Sequence, residues 1–318
     1  MLQLRTNKCN KRSCRFIFFV FFLSGTVGFA QQPATTLKPT SPDDQYVLGP
    51  DSQPQAGVPQ GKAMEFTLVD SKTYPGFEHK WWLYIPAQYD GKKPASLMVF
   101  QDGQTYVTRD GSWRVPVVFS NLIVKKELPV MAAIFVNPGV SPQLKAPGGS
   151  PLESKSDRSV EYDTLSDAYA KFLIEEILPE VRKHVRITDD PEGRGIAGIS
   201  SGDICSFTVA WQRPYQLRKV LSFVGSFVNI RGGNAYSDIV RKSEKKPLRI
   251  FQQDGAHDVL GEQYAALNWP EGNKAMAVAL DEKGYDHKFV FGEGTHSGAH
   301  GASIFPEAMR WLWRDYPR

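Results

Sequence analysis

The feature that most constrains the fold is a regular alternation of short apolar runs and amphipathic segments from about residue 62 onward. The apolar runs end in turns, as buried strands of a parallel sheet do, and the amphipathic segments have helical periodicity. Strands that alternate with helices favour a mostly parallel central sheet with helices on both faces. We therefore predict an α/β protein whose ligand crevice lies beyond the carboxyl ends of the strands.

The predicted elements follow this alternation along the whole segment. Strands are predicted at 63–70, 80–87, 96–103, 131–139, 193–200, 219–227, 248–255 and 287–294. Helices are predicted at 165–185, 201–213, 272–284 and 303–316. Polar or glycine-rich clusters follow several of these strands, so the candidate functional residues are expected at one edge of the sheet.

The first sixty residues differ from the rest in composition. A basic start, a short apolar run and small residues at Gly28 and Ala30 predict a signal peptide over residues 1–30, with a membrane anchor as the alternative. Residues 31–60, rich in Pro, Gln and Ser, predict a flexible or extended arm, partly ordered at most near residues 46–50. We expect a secreted or periplasmic protein with a catalytic domain at 61–318 and no stable membrane insertion after cleavage.

Loss of the signal peptide changes the charge and cysteine content. The chain has 38 basic and 34 acidic residues, and five of the basic ones lie in the first thirty. The remainder has 33 basic residues against 34 acidic ones, a net charge of about −1, so nothing indicates a nucleic-acid partner. Cys205 is then the only cysteine, which excludes an internal disulfide and favours a small core residue.

A G-x-S-x-G pattern at residues 198–202 falls between a predicted strand and a predicted helix. The flanking glycines leave room for a sharp turn that would lift the Ser200 hydroxyl out of the sheet as a nucleophile. An ordinary glycine-rich loop is the alternative, and the strand-to-helix context favours the nucleophile. Asp203 follows in the first helical turn, where a negative charge suits the helix dipole but could oppose a nearby oxyanion.

A nucleophilic serine needs a base, and the base needs an acid that orients it. His296 and His300 follow the last predicted strand, and we favour His296 because it lies closer to the strand end. Asp254 and Asp258 follow the preceding strand, and we favour Asp258 on the loop, whereas Asp254 is expected to cap the turn. The order serine, acid, histidine matches hydrolases built on such a turn.

An oxyanion hole would require two backbone amides that face the same space. One is expected at Ser201, directly after the nucleophile, and the other near Gln101, Asp102 or Gly103, after an early strand. A plain turn at Asp102-Gly103 is the alternative.

Several segments together resemble a known family. SLMVFQDGQTY, AGISSG, FQQDGAHD and GEGTHSGAHG with the later FPEAMRWLWRDYP are similar to esterases that include enterochelin esterases, feruloyl esterases and S-formylglutathione hydrolases. The resemblance covers about residues 62–318 and is closest to secreted, enterochelin esterase-like bacterial members. It implies the α/β-hydrolase fold, no metal or organic cofactor, and a triad that falls on Ser200, Asp258 and His296. Asp203 departs from the family, whose members usually have SSGG at this point.

Other side chains are candidates for contact with substrate: Trp269, Phe227, Arg231 and His300. Trp269 has the alternative of packing on the following helix. Arg158 and Glu161 could form an ion pair that braces the active-site loop, or could lie on a solvated loop edge.

The sequence therefore predicts a secreted serine esterase that forms an acyl-enzyme. Its substrate is expected to be a small-molecule or saccharide ester, either a siderophore ester or a hydroxycinnamoyl ester of plant carbohydrate. A non-catalytic binding module and an acyltransferase with the same triad are the alternatives. Asp203 is the feature that favours the binding module.

Overall fold

A computed structural model describes residues 41–141, 155–259 and 267–318, with side chains from Arg158 onward in the second range. Within these ranges eight strands form one mixed sheet in the order β1-β2-β4-β3-β5-β6-β7-β8. The strands are β1 Lys62–Leu68, β2 His79–Ile85, β3 Ser96–Gln101, β4 Met131–Val136, β5 Arg194–Ile199, β6 Lys219–Phe223, β7 Arg249–His257 and β8 Asp286–Thr295. β2 pairs antiparallel with both β1 and β4. In the sheet order from β4 through β3 to β8, every neighbouring pair is parallel.

Helices cover both faces of this sheet. They are α1 Gln104–Val107, α2 Val115–Val124, α3 Lys155–Tyr162, α4 Ala168–Phe172, α5 Leu178–Val181, α6 Ser201–Gln212, α7 Tyr236–Lys242, α8 Trp269–Glu282 and α9 Ala299–Leu312. Alternate residues of β3 belong to different cores: Leu97 and Val99 pack with α4, α5 and α6, whereas Met98 and Phe100 pack with α2 and α9. Because successive side chains of a strand point to opposite faces, this alternation shows that helices cover both faces of the sheet. The predicted α/β class is therefore confirmed.

The predicted helix at 165–185 is interrupted. A π-helical turn, Leu173–Ile177, separates α4 from α5, and Pro179 lies in the first turn of α5. A proline within a continuous helix has no amide to donate and its ring clashes with the carbonyl four residues earlier. The wider turn before Pro179 is a common way to accommodate such a residue.

Helices α1, α2, α3 and α7 have no counterpart among the predicted elements. In α2 nine of the ten residues are buried, and most are apolar, so the sequence has no polar face that would mark it as a helix. The others are only four to eight residues long. Short or uniformly apolar segments carry little periodicity from which a helix can be predicted.

Residues 1–40, which include the predicted signal peptide, lie outside the described part of the chain, as does the first part of the predicted arm. The arm from residue 41 belongs to the same compact unit as the sheet. Asp51 pairs with Lys125, directly after α2, and with Arg310 in α9, and the Asn121 amide of α2 donates to the Asp51 and Gln53 carbonyls. Order in the arm therefore extends beyond the predicted residues 46–50, because ion pairs and hydrogen bonds bind this segment to the region of α2 and to α9. In the three described ranges no helix is long and apolar enough to cross a membrane.

Candidate active site

Ser200 lies at a sharp turn between β5 and α6. Its backbone angles are φ 58° and ψ −124°, and its amide donates to the Phe223 carbonyl of β6 at 3.0 Å. A Cβ atom at Gly198 would lie 2.1 Å from the Gly202 carbonyl carbon and oxygen, and one at Gly202 would lie 2.9 Å from Asp102 Oδ2. Only glycine fits at position 198, and a larger residue at position 202 would have to displace the Asp102 side chain, so the G-x-S-x-G spacing suits the packing of the turn.

The structure brings Ser200, His296 and Asp258 together at the carboxyl ends of β5, β7 and β8. The Ser200 Oγ lies 2.9 Å from His296 Nε2, and His296 Nδ1 lies 2.6 Å from Asp258 Oδ1. The Asp258 side chain is fully buried and can only accept at this contact, so the Nδ1–H tautomer is favoured and Nε2 is free to accept the serine proton. The His296 side chain is 28% exposed, which leaves it open to the cleft.

The loop that carries Asp258 begins at an irregularity in β7. The register with β8 shifts between Gly255 and His257, and a Cβ atom at Gly255 would lie 2.1 Å from the Gly294 carbonyl oxygen. The close approach of the two backbones ends regular pairing and turns Asp258 toward His296. The Val259 amide donates to Asp258 Oδ1 at 2.5 Å and helps to fix the carboxylate.

Asp254 lies behind the triad rather than in it. It is fully buried, and its Oδ1 accepts from the Gly255 amide at 2.8 Å, as a turn-capping residue does. Burial, and then the neighbouring Asp258 carboxylate, raise the pKa of Asp254 to about 9. The Oδ2 atoms of Asp254 and Asp258 are both buried without another partner, and a protonated Asp254 that donates to Asp258 satisfies both.

Asp203 lies in the core rather than in the cleft. The side chain is fully buried beneath the turn, and burial raises its pKa well above the usual value, although Ser222 opposes this rise. Burial therefore favours the neutral form of this carboxyl and acts against the charge that was expected to suit the helix dipole. In its neutral form Asp203 would not oppose a nearby oxyanion, and that opposition was the reason to consider a non-catalytic binding module.

The loop after β3 does not present the free amide that was expected of it. The Asp102 amide donates to the Tyr162 hydroxyl at 3.2 Å, the Gly103 amide donates to the Val136 carbonyl at 3.0 Å, and Gln101 lies within β3. The prediction of an unengaged donor at Asp102 or Gly103 is wrong, because the loop stays bonded to its neighbours. Ser201 is the first residue of α6, so its amide has no partner within the helix and lies next to the nucleophile.

What the Asp102 loop contributes is an ion pair. Arg158 donates from Nε to Asp102 Oδ1 at 2.8 Å and from Nη2 to Asp102 Oδ2 at 2.6 Å. Burial acts against the guanidinium charge, but the Asp102 carboxylate outweighs it and raises the pKa of Arg158. Glu161 pairs instead with His79 Nε2 at 3.0 Å and accepts from the Gly139 amide. Arg158 and Glu161 therefore do not pair with each other, and each contacts a separate partner.

A cavity of about 790 Å³ opens above Ser200 and His296. Its apolar wall consists of Ile199, Ile230, Val259, Leu267 and Trp269. Its charged wall consists of Asp102, Arg158 and Asp163. Asp163 is buried, and burial raises its pKa above the usual value. The volume and the mostly apolar lining suit a small organic ligand.

The four predicted substrate contacts fall in different places. Trp269 lines the cavity and packs edge-on against His296, with ring centroids 5.0 Å apart. Arg231 lies at the rim, where its Nε donates to Ser159 Oγ at 3.3 Å. Phe227 was predicted wrongly, since it packs in the core against Phe207.

His300 was also predicted wrongly, since it lies outside the cavity lining. It is buried, and its Nδ1 lies 3.0 Å from Gln253 Nε2 in β7. Burial lowers the pKa of His300, so its role is that of a neutral packing residue.

Ser226 is a neighbour of the nucleophile that the sequence did not indicate. It follows the end of β6 by three residues, and its hydroxyl lies 3.3 Å from that of Ser200. The serine in the VGSF segment was the available signal, but only the parallel pairing of β5 and β6 shows that it reaches the turn. Across the described ranges, no group of three or more His, Cys, Asp and Glu side chains could hold a metal ion.

Comparison with known proteins identifies the family of this chain. Residues 73–312 match the family model Esterase, described as "Putative esterase". The chain is 22% identical to a Bacillus subtilis (strain 168) protein, "Uncharacterized protein YbbA", over 238 residues, which are 73% of this chain and 91% of the relative.

Two solved structures illustrate the similarity of fold. Ferric enterobactin esterase from Salmonella typhimurium aligns with a TM-score of 0.66 at 17% identity, over 84% of this chain and 62% of the esterase. A CE1 ferulic acid esterase from Anaeromyces mucronatus aligns with a TM-score of 0.62 at 17% identity, over 84% of this chain and 94% of that enzyme. The chain therefore spans less than two thirds of the enterobactin esterase, and at these identities both matches establish the fold alone.

Proposed function

Because the chain belongs to the Esterase family, and is thus a carboxylic ester hydrolase, we propose that it cleaves its ester through a covalent intermediate on Ser200. The observation that carries this proposal is the continuous chain of contacts from Ser200 Oγ through the His296 ring to Asp258 Oδ1. Such a chain makes an otherwise weak nucleophile reactive at neutral pH.

In the proposed reaction His296 Nε2 takes the hydroxyl proton as Ser200 Oγ bonds to the ester carbonyl carbon. Asp258 stabilises the imidazolium that results, and the Ser201 amide donates to the developing oxyanion. The tetrahedral adduct collapses, the C–O bond to the alcohol breaks, and His296 returns the proton to the departing oxygen. Water, deprotonated by His296 in its turn, then attacks the acyl-Ser200 ester and releases the acid.

The walls of the cavity favour an uncharged acyl group. Arg158 is the cation among the described lining residues, and its charge is compensated by the two-point contact with Asp102. Asp163 adds no positive charge, and the opposite wall is apolar, with Trp269 beside His296. Since the Arg158 charge is already compensated and Arg231 lies at the rim rather than on these walls, we propose a neutral aromatic acyl ester, such as a hydroxycinnamoyl ester, over a ferric catecholate ester.

A comparison of two ester classes tests this choice. We expect kcat/KM for a methyl hydroxycinnamate to exceed that for a ferric catecholate lactone by roughly 100-fold or more, a difference of about 3 kcal/mol in transition-state binding. Hydrolysis of both should stop in Ser200→Ala and persist in Ser201→Ala. Faster turnover of the ferric catecholate would reject the neutral acyl group but retain the serine mechanism.

We further propose that the mature protein begins at Gln31 and acts outside the cytoplasm. The support is the basic start, the apolar run and the small residues before Gln31 in the sequence. Mass spectrometry of the protein recovered from culture medium or periplasm should give an N-terminus at Gln31. Recovery of an intact N-terminal segment in the cytoplasm would contradict this proposal.

A further inference from the structure

The end of β8 is completed by the N-terminal segment 41–46. Because β8 is the last strand of the described sheet, one of its edges has no strand partner there. The Glu293 amide donates instead to the Tyr46 hydroxyl at 2.8 Å, and the Thr295 amide donates to Asp43 Oδ1 at 2.9 Å. Two side chains thus replace a neighbouring strand at the point where β8 leads into His296.

Asp43 contacts the residues on both sides of His296. Its Oδ2 accepts from the Ser297 hydroxyl at 2.8 Å and from the Thr295 hydroxyl, in addition to the bond from the Thr295 amide to Oδ1. The Ser297 hydroxyl also accepts from the Ala299 amide at the start of α9. One carboxylate therefore links the end of β8, the segment around His296 and the beginning of α9.

The contact surface is shaped for this segment. A Cβ atom at Gly292 would lie 2.5 Å from the Tyr46 hydroxyl, so a larger residue there would displace Tyr46. The Tyr46 ring stacks on His300, with centroids 4.1 Å apart and an interplanar angle of 10°. Gly292 thus has a structural role beyond turn formation, since the absence of a side chain lets Tyr46 approach the backbone.

Asp43 is held in place and charged. It lies in the short 3-10 turn Pro42–Gln45, which Ser41 caps through reciprocal hydrogen bonds with the turn. Partial burial acts to raise the pKa of Asp43, but the hydrogen bonds from Thr295 and Ser297 outweigh it and lower that pKa. The ionised carboxylate makes stronger hydrogen bonds than a neutral acceptor would.

We propose that Asp43 is a positioning residue of the hydrolase, which holds His296 within reach of Ser200 by binding Thr295 and Ser297 on either side of it. This inference rests on the proposed serine mechanism. It makes the N-terminal segment part of the catalytic apparatus, although Asp43 precedes Thr295 by 252 residues in the chain. A misplacement of about 1 Å at a catalytic group can lower a rate by roughly 100-fold, so a remote anchor is sufficient to control turnover.

The experiment compares Asp43→Ala with Asp51→Ala in the protein that begins at Gln31. Asp51 is the matched control, because its carboxylate also anchors the N-terminal segment but binds Lys125 and Arg310, away from His296. We expect Asp43→Ala to lower kcat by roughly 10- to 100-fold with KM changed less than about threefold. Asp43→Asn, which retains an oxygen for the Thr295 amide, should recover part of kcat. Asp51→Ala should lower Tm and leave kcat within about twofold.

Hydrogen exchange gives a readout that does not depend on activity. The Thr295 amide should exchange at least about tenfold faster in Asp43→Ala than in the wild type, and at an unchanged rate in Asp51→Ala. Unchanged exchange, or a kcat within twofold of the wild type in a folded Asp43→Ala protein, would overturn the proposal. If Asp43→Ala does not fold, Ser297→Ala takes its place, because it removes the hydroxyl that donates to Asp43 Oδ2. An unchanged kcat in Ser297→Ala would also overturn the proposal. Full activity of Ser200→Ala would reject the serine mechanism separately, while the exchange result would still report on Asp43.

Discussion

Ser200 has a backbone conformation that residues with a side chain rarely adopt. Its φ of 58° with ψ of −124° has a cost on the order of 1–3 kcal/mol, which the surrounding structure must offset. The bond from its amide to the Phe223 carbonyl and the pairing of β5 with two neighbours supply part of that stabilisation. The result is a hydroxyl that faces His296 rather than the core.

The carboxyl pair behind this serine makes a pH-dependent contribution to stability. The pKa of Asp254 is about 9 in the folded protein, against a usual value near 3.8, because burial and the Asp258 carboxylate disfavour its ionised form. Between about pH 4 and pH 9 the folded protein therefore holds a proton that the unfolded chain releases. The free energy of unfolding must then fall as pH rises through this window.

Asp254→Asn removes this titration and keeps a donor for Asp258. We expect the free energy of unfolding of the variant, relative to wild type, to rise steadily from about pH 4 to about pH 9 in urea titrations. Asp70→Asn, at an exposed position after β1, serves as the control for the loss of one carboxylate from the surface. A constant difference between Asp254→Asn and wild type would mean that Asp254 is ionised in the folded protein.

At the scale of elements, the turn between β5 and α6 was predictable because its determinants are adjacent in the chain. The glycines at 198 and 202 and the apolar run before them carry the signal for the strand, the turn and the helix. The loop after β3 was not predictable in the same way. Whether the Asp102 amide is free depends on Tyr162, which lies sixty residues away, and no local pattern reveals that contact.

Gly198→Ala should disrupt this turn. The new Cβ atom would lie 2.1 Å from the Gly202 carbonyl, so the backbone of β5 or α6 must shift. We expect a loss of more than about 2 kcal/mol in the free energy of unfolding and a fall in kcat/KM of roughly 100-fold or more. Gly284→Ala is the control: its φ is 65° but nothing lies within 4 Å of the added Cβ, so only about 1 kcal/mol is expected. Equal effects in the two variants would show that the close approach at Gly198 is unimportant.

At the scale of the whole molecule, composition distinguishes the first sixty residues from the rest. Residues 41–60, however, are more ordered than their composition predicts. Residues 41–60 have the polar, proline-rich composition of a flexible arm, yet Asp43, Tyr46 and Asp51 each bind partners more than seventy residues away in the chain. The same contacts explain why His300 is buried beneath Tyr46 rather than exposed to the cavity. Contacts between residues so far apart in the chain cannot be predicted from local composition.

The whole fold also protects its single described cysteine. Cys205 lies in α6, is buried in the core and forms no disulfide, and burial raises the pKa of its thiol well above the usual value. In the protein that begins at Gln31, we expect a thiol reagent to react only as fast as the protein unfolds, and one thiol to react after denaturation. Rapid reaction with the folded protein would contradict the packing of α6 against the sheet.

The central claim is that Ser200, activated by His296 and Asp258, is the nucleophile. The most direct measurement is to treat the protein with a fluorophosphonate and to locate the adduct by peptide mass spectrometry, with Ser201 in the same peptide as an internal control. We predict a single stable adduct on Ser200, labelling at least about 1000-fold slower in His296→Ala, and no adduct in Ser200→Ala. An adduct on Ser201, or undiminished labelling of His296→Ala, would contradict the claim.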